Sequence, residues 1–304
     1  MRTAWSKRVC VPLAGTALLV GLPATTADAA AAGPSGVQAK SAFLWDDTRA
    51  KILWSRGPAV KRPIGSITKV MTAIVVLRAG GLDRKVTIRR KHIDYALRHG
   101  GSLAHLRAGD RLTVRQLLRA LLLPSGCDAA YALADFYGPG WQGFVKKMNT
   151  TARELKMDRT HYANFDGLPW PTPTAGHSTA HDQTKLGRYA FRRPEFRKVV
   201  STRTYRLAAG NGHRSYTWHN TNRLLGSYKG AVGIKTGFTN AAGYSLMFAA
   251  TRNRRTLIGV VLNSSTTVPE ARFRDASRIL DWGFGVRSAS EPILRPLPPG
   301  ANVD

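Results

Sequence analysis

The chain has 304 residues, and its 46 lysines and arginines outnumber its 18 aspartates and glutamates to give a formal net charge of +28. A chain of this length can bury a sizeable core in one large domain or two interleaved lobes. It has two cysteines, one of them in a predicted leader, so an internal disulfide is excluded for the processed protein.

The first 29 residues have the three parts of a secretory signal peptide. Three cations precede an apolar run from Val9 to Leu22, and the small residues Ala27-Asp28-Ala29 follow. The run is too short for a spanning helix with its own anchor. We therefore expect cleavage near Ala29 and a secreted, extracytoplasmic protein associated with the cell wall, followed by a flexible arm over residues 30–39.

The charge of the mature chain, about +26, predicts anionic partners. For an exported protein these are wall polymers or lipid head groups, and nucleic acid is not expected at that location. The basic clusters are spread along the chain, which favours a solvated surface over a dedicated patch. Association through charge alone predicts release by high salt.

Apolar residues at 42–45 and 52–54 flank a polar segment and predict a β-hairpin. Pro63 and Gly65 then interrupt the chain before a run with helical spacing. Three residues apart, Ser66 and Lys69 would share one face in the first turn of that helix. The positive end of the helix dipole disfavours an ammonium there, so a neutral lysine would lie beside a serine hydroxyl as its base.

This spacing alone is weak evidence, since S-x-x-K is expected about once by chance in such a chain. On these residues, an ordinary helix start with a serine cap stays open.

Further along, Thr113 opens a second helix that Pro124 stops. Ser125 follows at once, which predicts a serine exposed on a tight loop before an alanine-rich helix.

Helices are predicted near residues 141–155 and from residue 180, and three antiparallel strands at 232–235, 244–250 and 257–262. A closing helix covers about 271–282. These elements predict an α/β (α+β) domain over residues 40–285, with one antiparallel sheet formed by both chain ends, flanking helices and a helical insertion at about 80–225. Only 20 residues follow Phe284, a proline-rich tail (286–304) that we expect to be largely disordered, so a catalytic domain alone is predicted.

The triplet Lys235-Thr236-Gly237 lies at the edge of a predicted strand. A K-T-G triplet is expected only about 0.1 times by chance, so it is more informative than S-x-x-K. In this order, Ser66 with Lys69, then Ser125, then the triplet match the three-part signature of penicillin-recognising serine enzymes.

Over residues 40–285 the chain resembles a serine-type D-alanyl-D-alanine carboxypeptidase, a low-molecular-mass penicillin-binding protein of peptidase family S11. The stretches that carry the resemblance are PIGSITKVMT (63–72), LLLPSG (121–126), STAHD (178–182), NTNRLL (220–225), GIKTGFT (233–239) and WGF (282–284). The resemblance implies a β-lactamase/DD-peptidase-like fold and a hydrolase without a cofactor. Its substrate would be a peptidoglycan stem peptide ending in D-Ala-D-Ala, and β-lactam antibiotics would inhibit it.

The resemblance also implies the role of each site residue. Ser66 would be the nucleophile, Lys69 its base, Ser125 the proton relay and Lys235 a source of positive charge. The N–H groups of Ser66 and Phe238 would form the oxyanion hole. The implied substrate-binding residues are Thr236, Gly237, Thr239, Cys127 and, by family spacing, Arg272, with Thr236 and Arg272 holding the terminal carboxylate.

Cys127 stands where the family usually has asparagine, and a thiol cannot donate an amide hydrogen bond. A small buried hydrophobe and a functional thiol are equally open at this position.

Two other functions stay open as well: a serine β-lactamase with fast deacylation, and a basic wall-binding protein whose site Cys127 has silenced. His177 and His181 are not expected to bind a metal, because no H-E-x-x-H glutamate accompanies them.

Overall fold

The computed structural model describes residues 1–5, 33–286 and 291–302. The chain divides into two units, Met1–Ala32 and Gly33–Asp304. Only residues 1–5 of the first unit are described, so the apolar run and the cleavage site of the predicted signal peptide lie outside the described residues. Among the residues that are described, no helix is long and apolar enough to cross a membrane.

The strands are β1 Ser41–Asp46, β2 Lys51–Arg56, β3 Lys85–Thr87, β4 Arg111–Thr113, β5 Thr204–Leu207, β6 Tyr216–His219, β7 Ala231–Gly237, β8 Ser245–Arg252 and β9 Arg255–Leu262. The helices are α1 Lys69–Ala79, α2 Arg90–Arg98, α3 Val114–Leu122, α4 Cys127–Tyr137, α5 Gly140–Glu154, α6 Ala180–Phe191, α7 Pro194–Val200 and α8 Ala271–Phe284. A single 3₁₀ turn, Gly65–Thr68, precedes α1.

The central sheet has five antiparallel strands in the order β2-β1-β9-β8-β7. The first strand of the chain pairs with the last, with Ser41 opposite Leu262 and Asp46 opposite Leu257. Strand β7 forms one edge of the sheet. The prediction of an antiparallel sheet formed by both chain ends, flanked by helices, is confirmed.

Both faces of this sheet are buried against apolar side chains. Successive side chains of a strand point to opposite faces, so neighbouring residues belong to different apolar clusters. Leu44 and Phe248 belong to one apolar cluster, which they share with residues of α8. Their neighbours Phe43 and Met247 belong to a larger cluster on the other face, which includes residues of α1, α3, α4 and α6. Each fully buried side chain of this size contributes about 1.5–3 kcal/mol through the area it removes from water.

Between α1 and β7 the chain forms six helices, α2 to α7, and two small antiparallel two-stranded sheets, β3–β4 and β5–β6. Helix α3 begins at the predicted position, directly after Thr113: the Thr113 hydroxyl accepts a hydrogen bond from Gln116 N at 3.2 Å, and Thr113 N donates one to Gln116 Oε1 at 2.7 Å. This capping box fixes the start of the helix that leads to Ser125.

The arm before β1 is packed over its second half, contrary to the prediction of a flexible segment. Val37 and Ala39 are buried. Asp275 of α8 accepts hydrogen bonds from Gln38 N at 2.8 Å and from Ala39 N at 2.7 Å. The small residues of the arm suggest flexibility, but two apolar side chains and a distant carboxylate are enough to hold it.

The tail is also in contact with the domain, so the prediction of disorder is wrong for residues 291–302. Arg295 donates to Asn220 O at 2.6 Å and to Leu225 O at 3.1 Å. Asn302 donates to Leu103 O at 3.0 Å and to Pro124 O at 2.5 Å. Proline content gives no sign of these partners, because the acceptors are main-chain carbonyls of loops far away in the sequence.

Candidate active site

Ser66 and Lys69 lie together where the 3₁₀ turn runs into α1. Lys69 is the first residue of α1, and its Nζ lies 2.7 Å from Ser66 Oγ. Lys69 Nζ also donates to Asp166 O at 3.2 Å. Ser66 is 6% exposed and Lys69 is fully buried. A serine hydroxyl and a lysine amine in this contact can act as a nucleophile and its base.

The turn that carries Ser66 rests against the chain that follows β7. Gly65 has a φ of +52°, and a Cβ on it would lie 3.0 Å from Phe238 N. This approach requires a residue without a side chain. It brings the main chain of the nucleophile turn against Phe238, whose N–H is one of the two predicted for the oxyanion hole. The Phe238 ring is fixed by stacking on Tyr244, with 4.1 Å between ring centroids.

Ser125 lies in the loop between α3 and α4 with a φ of +66°. The residue is fully buried, so the prediction of an exposed serine is wrong. Its hydroxyl has no hydrogen-bond partner within the described part of the chain. A non-glycine residue in this conformation costs about 1–3 kcal/mol and persists only where its surroundings impose it.

Those surroundings include Asp128, on the first turn of α4. Its buried carboxylate accepts hydrogen bonds from Ala104 N and Leu106 N, both at 3.0 Å, and from Ala129 N at 2.9 Å. These bonds tie the segment that contains Ala104 and Leu106 to the first turn of α4, next to the loop that carries Ser125. The proline that ends α3 predicts the loop but not this contact.

The Lys235-Thr236-Gly237 triplet ends the edge strand β7. Lys235 is 1% exposed, and its Nζ donates to Thr236 O at 3.0 Å and to Thr236 Oγ1 at 3.2 Å. Thr236 Oγ1 is 2.6 Å from Thr221 Oγ1, and Thr221 N donates to Leu123 O at 3.1 Å. The triplet is therefore linked through Thr221 to the loop that carries Ser125.

Arg272, on α8, lies beneath the same end of β7. It is 2% exposed, its guanidinium lies 5.1 Å from the centre of the Tyr244 ring, and its Nη1 is 3.5 Å from Gly237 O. Thr239, two residues beyond the triplet, accepts a hydrogen bond from Ala242 N at 3.1 Å. Thr239 also lines a polar cleft whose wall includes Gly65, Thr68, Asn164 and Leu168. The structure thus brings all the predicted residues of the late strand to one side of Ser66.

Cys127 is fully buried as the first residue of α4, behind Ser125. Cys127 N donates to Ser102 O at 2.8 Å, and its Sγ is 4.0 Å from Ser125 O. Burial raises the pKa of the Cys127 thiol above its usual range, and the charge of Lys69 opposes this only in part. Cys127 is therefore a neutral thiol near pH 7, and direct contact with substrate stays a prediction.

Sequence reasoning missed Asp166, whose carbonyl holds Lys69. Its side chain is fully buried, and Oδ1 accepts hydrogen bonds from Leu168 N at 3.1 Å and from Tyr95 OH at 3.4 Å. Burial raises the pKa of the Asp166 carboxyl, while Lys69 and the Leu168 N–H lower it less. The sequence offers only an irregular stretch with three prolines from Asn164 to Gly176, which gives no sign of a role for Asp166.

His181 and Asp182 have a structural explanation at the start of α6. Asp182 N donates to the Thr179 hydroxyl at 3.0 Å, and Asp182 Oδ2 accepts from Arg159 N at 3.0 Å and from Thr160 Oγ1 at 2.9 Å. These contacts cap the helix and tie it to the preceding loop. Throughout the described ranges, no group of three or more His, Cys, Asp or Glu side chains could hold a metal ion.

Replacing Gly167 with alanine is expected to destabilise the fold by about 2 kcal/mol or more and to lower activity. Gly167 has a φ of +85°, and a Cβ there would lie 1.9 Å from Gly65 O, so the turn that carries Ser66 would have to move. Urea unfolding measures the loss. Gly100→Ala is the matched control, because Gly100 has a φ of +61° but no atom within 4 Å of the added Cβ. It should cost about 1 kcal/mol; equal losses would mean that the Gly65 contact is unimportant.

The sequence profile of the peptidase S11 family, described as D-alanyl-D-alanine carboxypeptidase, matches residues 26–266. The D-alanyl-D-alanine carboxypeptidase of Streptomyces sp. strain K15 is 42% identical over 284 residues, which cover 90% of this chain and 96% of that protein. The D-alanyl-D-alanine carboxypeptidase DacF of Bacillus subtilis is 32% identical over 250 residues, 81% of this chain and 62% of that protein.

Solved structures agree with these matches. The Streptomyces K15 DD-transpeptidase superposes with a TM-score of 0.78 at 43% identity, covering 84% of this chain and 100% of that one. The D-alanyl-D-alanine carboxypeptidase from Mycobacterium tuberculosis H37Rv superposes with a TM-score of 0.74 at 31% identity, covering 86% of this chain and 98% of that one.

Proposed function

This chain belongs to the D-alanyl-D-alanine carboxypeptidase family, peptidase family S11, and we propose that it is an exported serine enzyme that removes the terminal D-alanine from peptidoglycan stem peptides. The observation that carries the proposal is the buried contact of 2.7 Å between Lys69 Nζ and Ser66 Oγ, beside a lysine-threonine-glycine strand end. In a dry site, an amine in contact with a hydroxyl is placed to accept its proton.

In the proposed acylation step, Ser66 Oγ attacks the carbonyl carbon of the penultimate D-alanine while Lys69 accepts the hydroxyl proton. Ser125 relays that proton to the amine of the leaving D-alanine, and Lys235 supplies positive charge on that side. The hydroxyl of Ser125 is suited to relay because it has no hydrogen-bond partner among the described residues. The C–N bond breaks, and an ester of Ser66 remains for water to hydrolyse.

The oxyanion that forms during attack would be held by the N–H groups of Ser66 and Phe238. Each such donor contributes about 3–4 kcal/mol in comparable enzymes. The close packing of Gly65 against Phe238 supports this assignment, since the two donors come from main chains already in contact. Rigid donors need no reorganisation when the charge develops.

Recognition of the free carboxylate would make the enzyme an exopeptidase. Thr236 lies near the end of β7, and Arg272 approaches the next residue, Gly237, so a hydroxyl and a buried guanidinium would bind the two carboxylate oxygens there. Gly237 and Thr239 would pair with the substrate main chain along the strand edge. Cys127 would act from behind Ser125, as a neutral group that shapes the relay.

Fluorescent penicillin and a peptide ending in D-Ala-D-Ala test the proposal together. A covalent label on the peptide that contains Ser66, with release of free D-alanine, is the expected result. Rapid turnover of penicillin without a lasting label would instead indicate a β-lactamase. No label combined with retention on isolated walls would indicate a silenced wall-binding protein. N-terminal sequencing of the secreted protein tests cleavage near Ala29.

Transpeptidation is a second candidate, favoured by the 43% identity to the Streptomyces K15 DD-transpeptidase. The same acyl-enzyme would be attacked by an amine in place of water, forming a new amide and regenerating the Ser66 hydroxyl. Adding glycylglycine to the peptide assay separates the two outcomes. A transfer product that grows at the expense of hydrolysis supports transpeptidation, and hydrolysis alone excludes it for that acceptor.

Replacing Arg272 with methionine should raise KM for a peptide with a free C-terminal carboxylate by about tenfold or more, because a charge-assisted hydrogen bond is lost. Hydrolysis of the corresponding peptide amide should change little. Arg274→Met is the control, since Arg274 lies on the same helix with its side chain 44% exposed, paired with Glu291. Equal losses with the peptide acid and the amide would place Arg272 outside carboxylate recognition.

A further inference from the structure

A carboxyl group lies buried beside the candidate nucleophile and base, and the proposed mechanism does not use it. Asp166 is fully buried, and its main-chain carbonyl accepts a hydrogen bond from Lys69 Nζ at 3.2 Å. Its side chain faces the interior between α1, α2 and α4, where the charge of Lys69 and the thiol of Cys127 act on it. It belongs to a loop, Asn164 to Leu168, that its own hydrogen bonds help to shape.

The two oxygens of this carboxyl group have unequal surroundings. Oδ1 accepts from Leu168 N at 3.1 Å and from Tyr95 OH at 3.4 Å. Oδ2 is buried and has no hydrogen-bond partner among the described residues, and the Cys127 thiol acts on the carboxyl group as a whole. Such asymmetry suits a neutral carboxylic acid, with the carbonyl oxygen at Oδ1 and the hydroxyl at Oδ2. An ionised carboxylate would leave one charged oxygen in a dry site without a strong donor.

We infer that Asp166 is a positioning residue for the Ser66–Lys69 pair, and that its carboxyl group holds the proton that would otherwise make Lys69 an ammonium. The inference rests on the proposed function, in which Lys69 must be neutral to accept the Ser66 proton. Two arrangements of one proton compete at this site. Ionised Asp166 with an ammonium at Lys69 is an ion pair that cannot start acylation, and neutral Asp166 with a neutral amine is the competent form.

The groups that act on Asp166 come from each helix packed around it. They are Lys69 on α1, Tyr95 on α2 and Cys127 on α4, with Tyr131 and Asp128 of α4 acting through Tyr95 and Cys127. Burial raises the pKa of Asp166, Tyr95 and Cys127 alike, so all three favour their neutral forms. Lys69 is the one cation among these five groups, and its complete burial disfavours its charge.

Positioning follows from the same contacts. The carboxyl group accepts hydrogen bonds from Leu168 N within the loop and from Tyr95 of α2, and the loop places the Asp166 carbonyl on Lys69 Nζ. With the side chain removed, the carbonyl would be free to shift, and the amine would lose the contact that aims it at Ser66. Asparagine has the same shape as the neutral acid and can keep the hydrogen bonds at Oδ1.

The experiment compares Asp166→Asn and Asp166→Ala in the full-length mature protein, measuring the rate of acylation by fluorescent penicillin from pH 5 to 10. We expect the acylation rate of Asp166→Asn to stay within about threefold of the parent rate, and the fall of that rate at low pH, the acid limb of the pH–rate profile, to stay at the same pH. The acylation rate of Asp166→Ala should fall by about tenfold or more. An acid limb that moves to lower pH by about one unit in Asp166→Asn would identify an ion pair in the parent and overturn the inference. So would an Asp166→Ala variant that acylates like the parent.

Infrared difference spectra give a readout that does not depend on activity, so the inference and the proposed function can fail separately. The parent minus Asp166→Asn spectrum at pH 7 should contain the carbonyl stretch of a protonated carboxylic acid, and a carboxylate band alone would overturn the assignment. Should Asp166→Ala fail to fold, Tyr95→Phe should raise the frequency of that band by removing one donor to Oδ1, and an unmoved band would count against the assigned hydrogen bond. Asp275→Asn, a second buried aspartate that bonds two main-chain N–H groups, should leave the acylation rate and its acid limb unchanged.

Discussion

Replacement of Ser66 with alanine should abolish penicillin labelling and lower D-alanine release by about 10⁴-fold or more, since removing a nucleophile costs about this much in comparable serine enzymes. The alanine side chain fits the buried turn Gly65–Thr68, so the protein should fold as before. Substrate binding should persist, because the proposed carboxylate site at Thr236 and Arg272 is untouched. The loss should therefore appear in kcat with little change in KM.

Single-turnover assays with the D-Ala-D-Ala peptide, together with thermal unfolding, measure this effect. Ser277→Ala is a matched control: Ser277 is also a buried serine, its hydroxyl has no hydrogen-bond partner among the described residues, and it lies on α8. Full activity is expected for that variant. Continued release of D-alanine by Ser66→Ala would exclude the acyl-enzyme route.

Replacement of Lys69 with arginine should lower the rate of acylation by about 10³-fold, within the range that general base catalysis contributes. A guanidinium keeps the positive charge of the site but cannot be deprotonated near pH 7. The prediction therefore separates a proton acceptor from a fixed charge. Raising the pH to 10 should not restore the rate, and stopped-flow acylation by penicillin would measure it.

Lys235→Arg is the matched comparison, because Lys235 is equally buried and its proposed contribution is charge alone. Its acylation rate should fall by only about tenfold, since the charge is kept while the contacts to Thr236 are altered. Similar losses for the two variants would mean that steric damage, and not the lost base, explains the effect. A Lys69→Arg enzyme within tenfold of the parent would require another proton acceptor.

The parts of the fold that follow from local pattern could be predicted from the sequence. The β1–β2 hairpin, the Thr113 cap and the last three strands have strong periodicity or turn signals. Helix α2 and strands β3 and β4 could not be predicted, because they are short and charged and bury few residues, such as His92 and Ala96 of α2. The conformation of these three elements depends on their packing against the rest of the domain.

The same distinction between local pattern and long-range contact applies to the residues of the candidate site. Ser66, Lys69 and the Lys235 triplet occur in motifs that are rare in combination, so the sequence alone locates them. Asp166 is found only in three dimensions, because its importance comes from a carbonyl contact with Lys69 nearly a hundred positions earlier. The surroundings of Ser125 likewise include a segment about 20 residues earlier, which Asp128 ties to the start of α4. Motifs identify reacting atoms, but not the groups that set their protonation.

The pairing of β1 with β9 has a consequence for the order of folding. A chain that emerges from its N-terminus presents the Ser66 turn long before β7 and β9 exist, and closure of so large a loop is slow. The turn needs β7 beside it to gain Phe238. A truncated or incompletely synthesised chain would therefore carry Ser66 without the proposed oxyanion site, and acyl transfer would begin only once the last strands have been made.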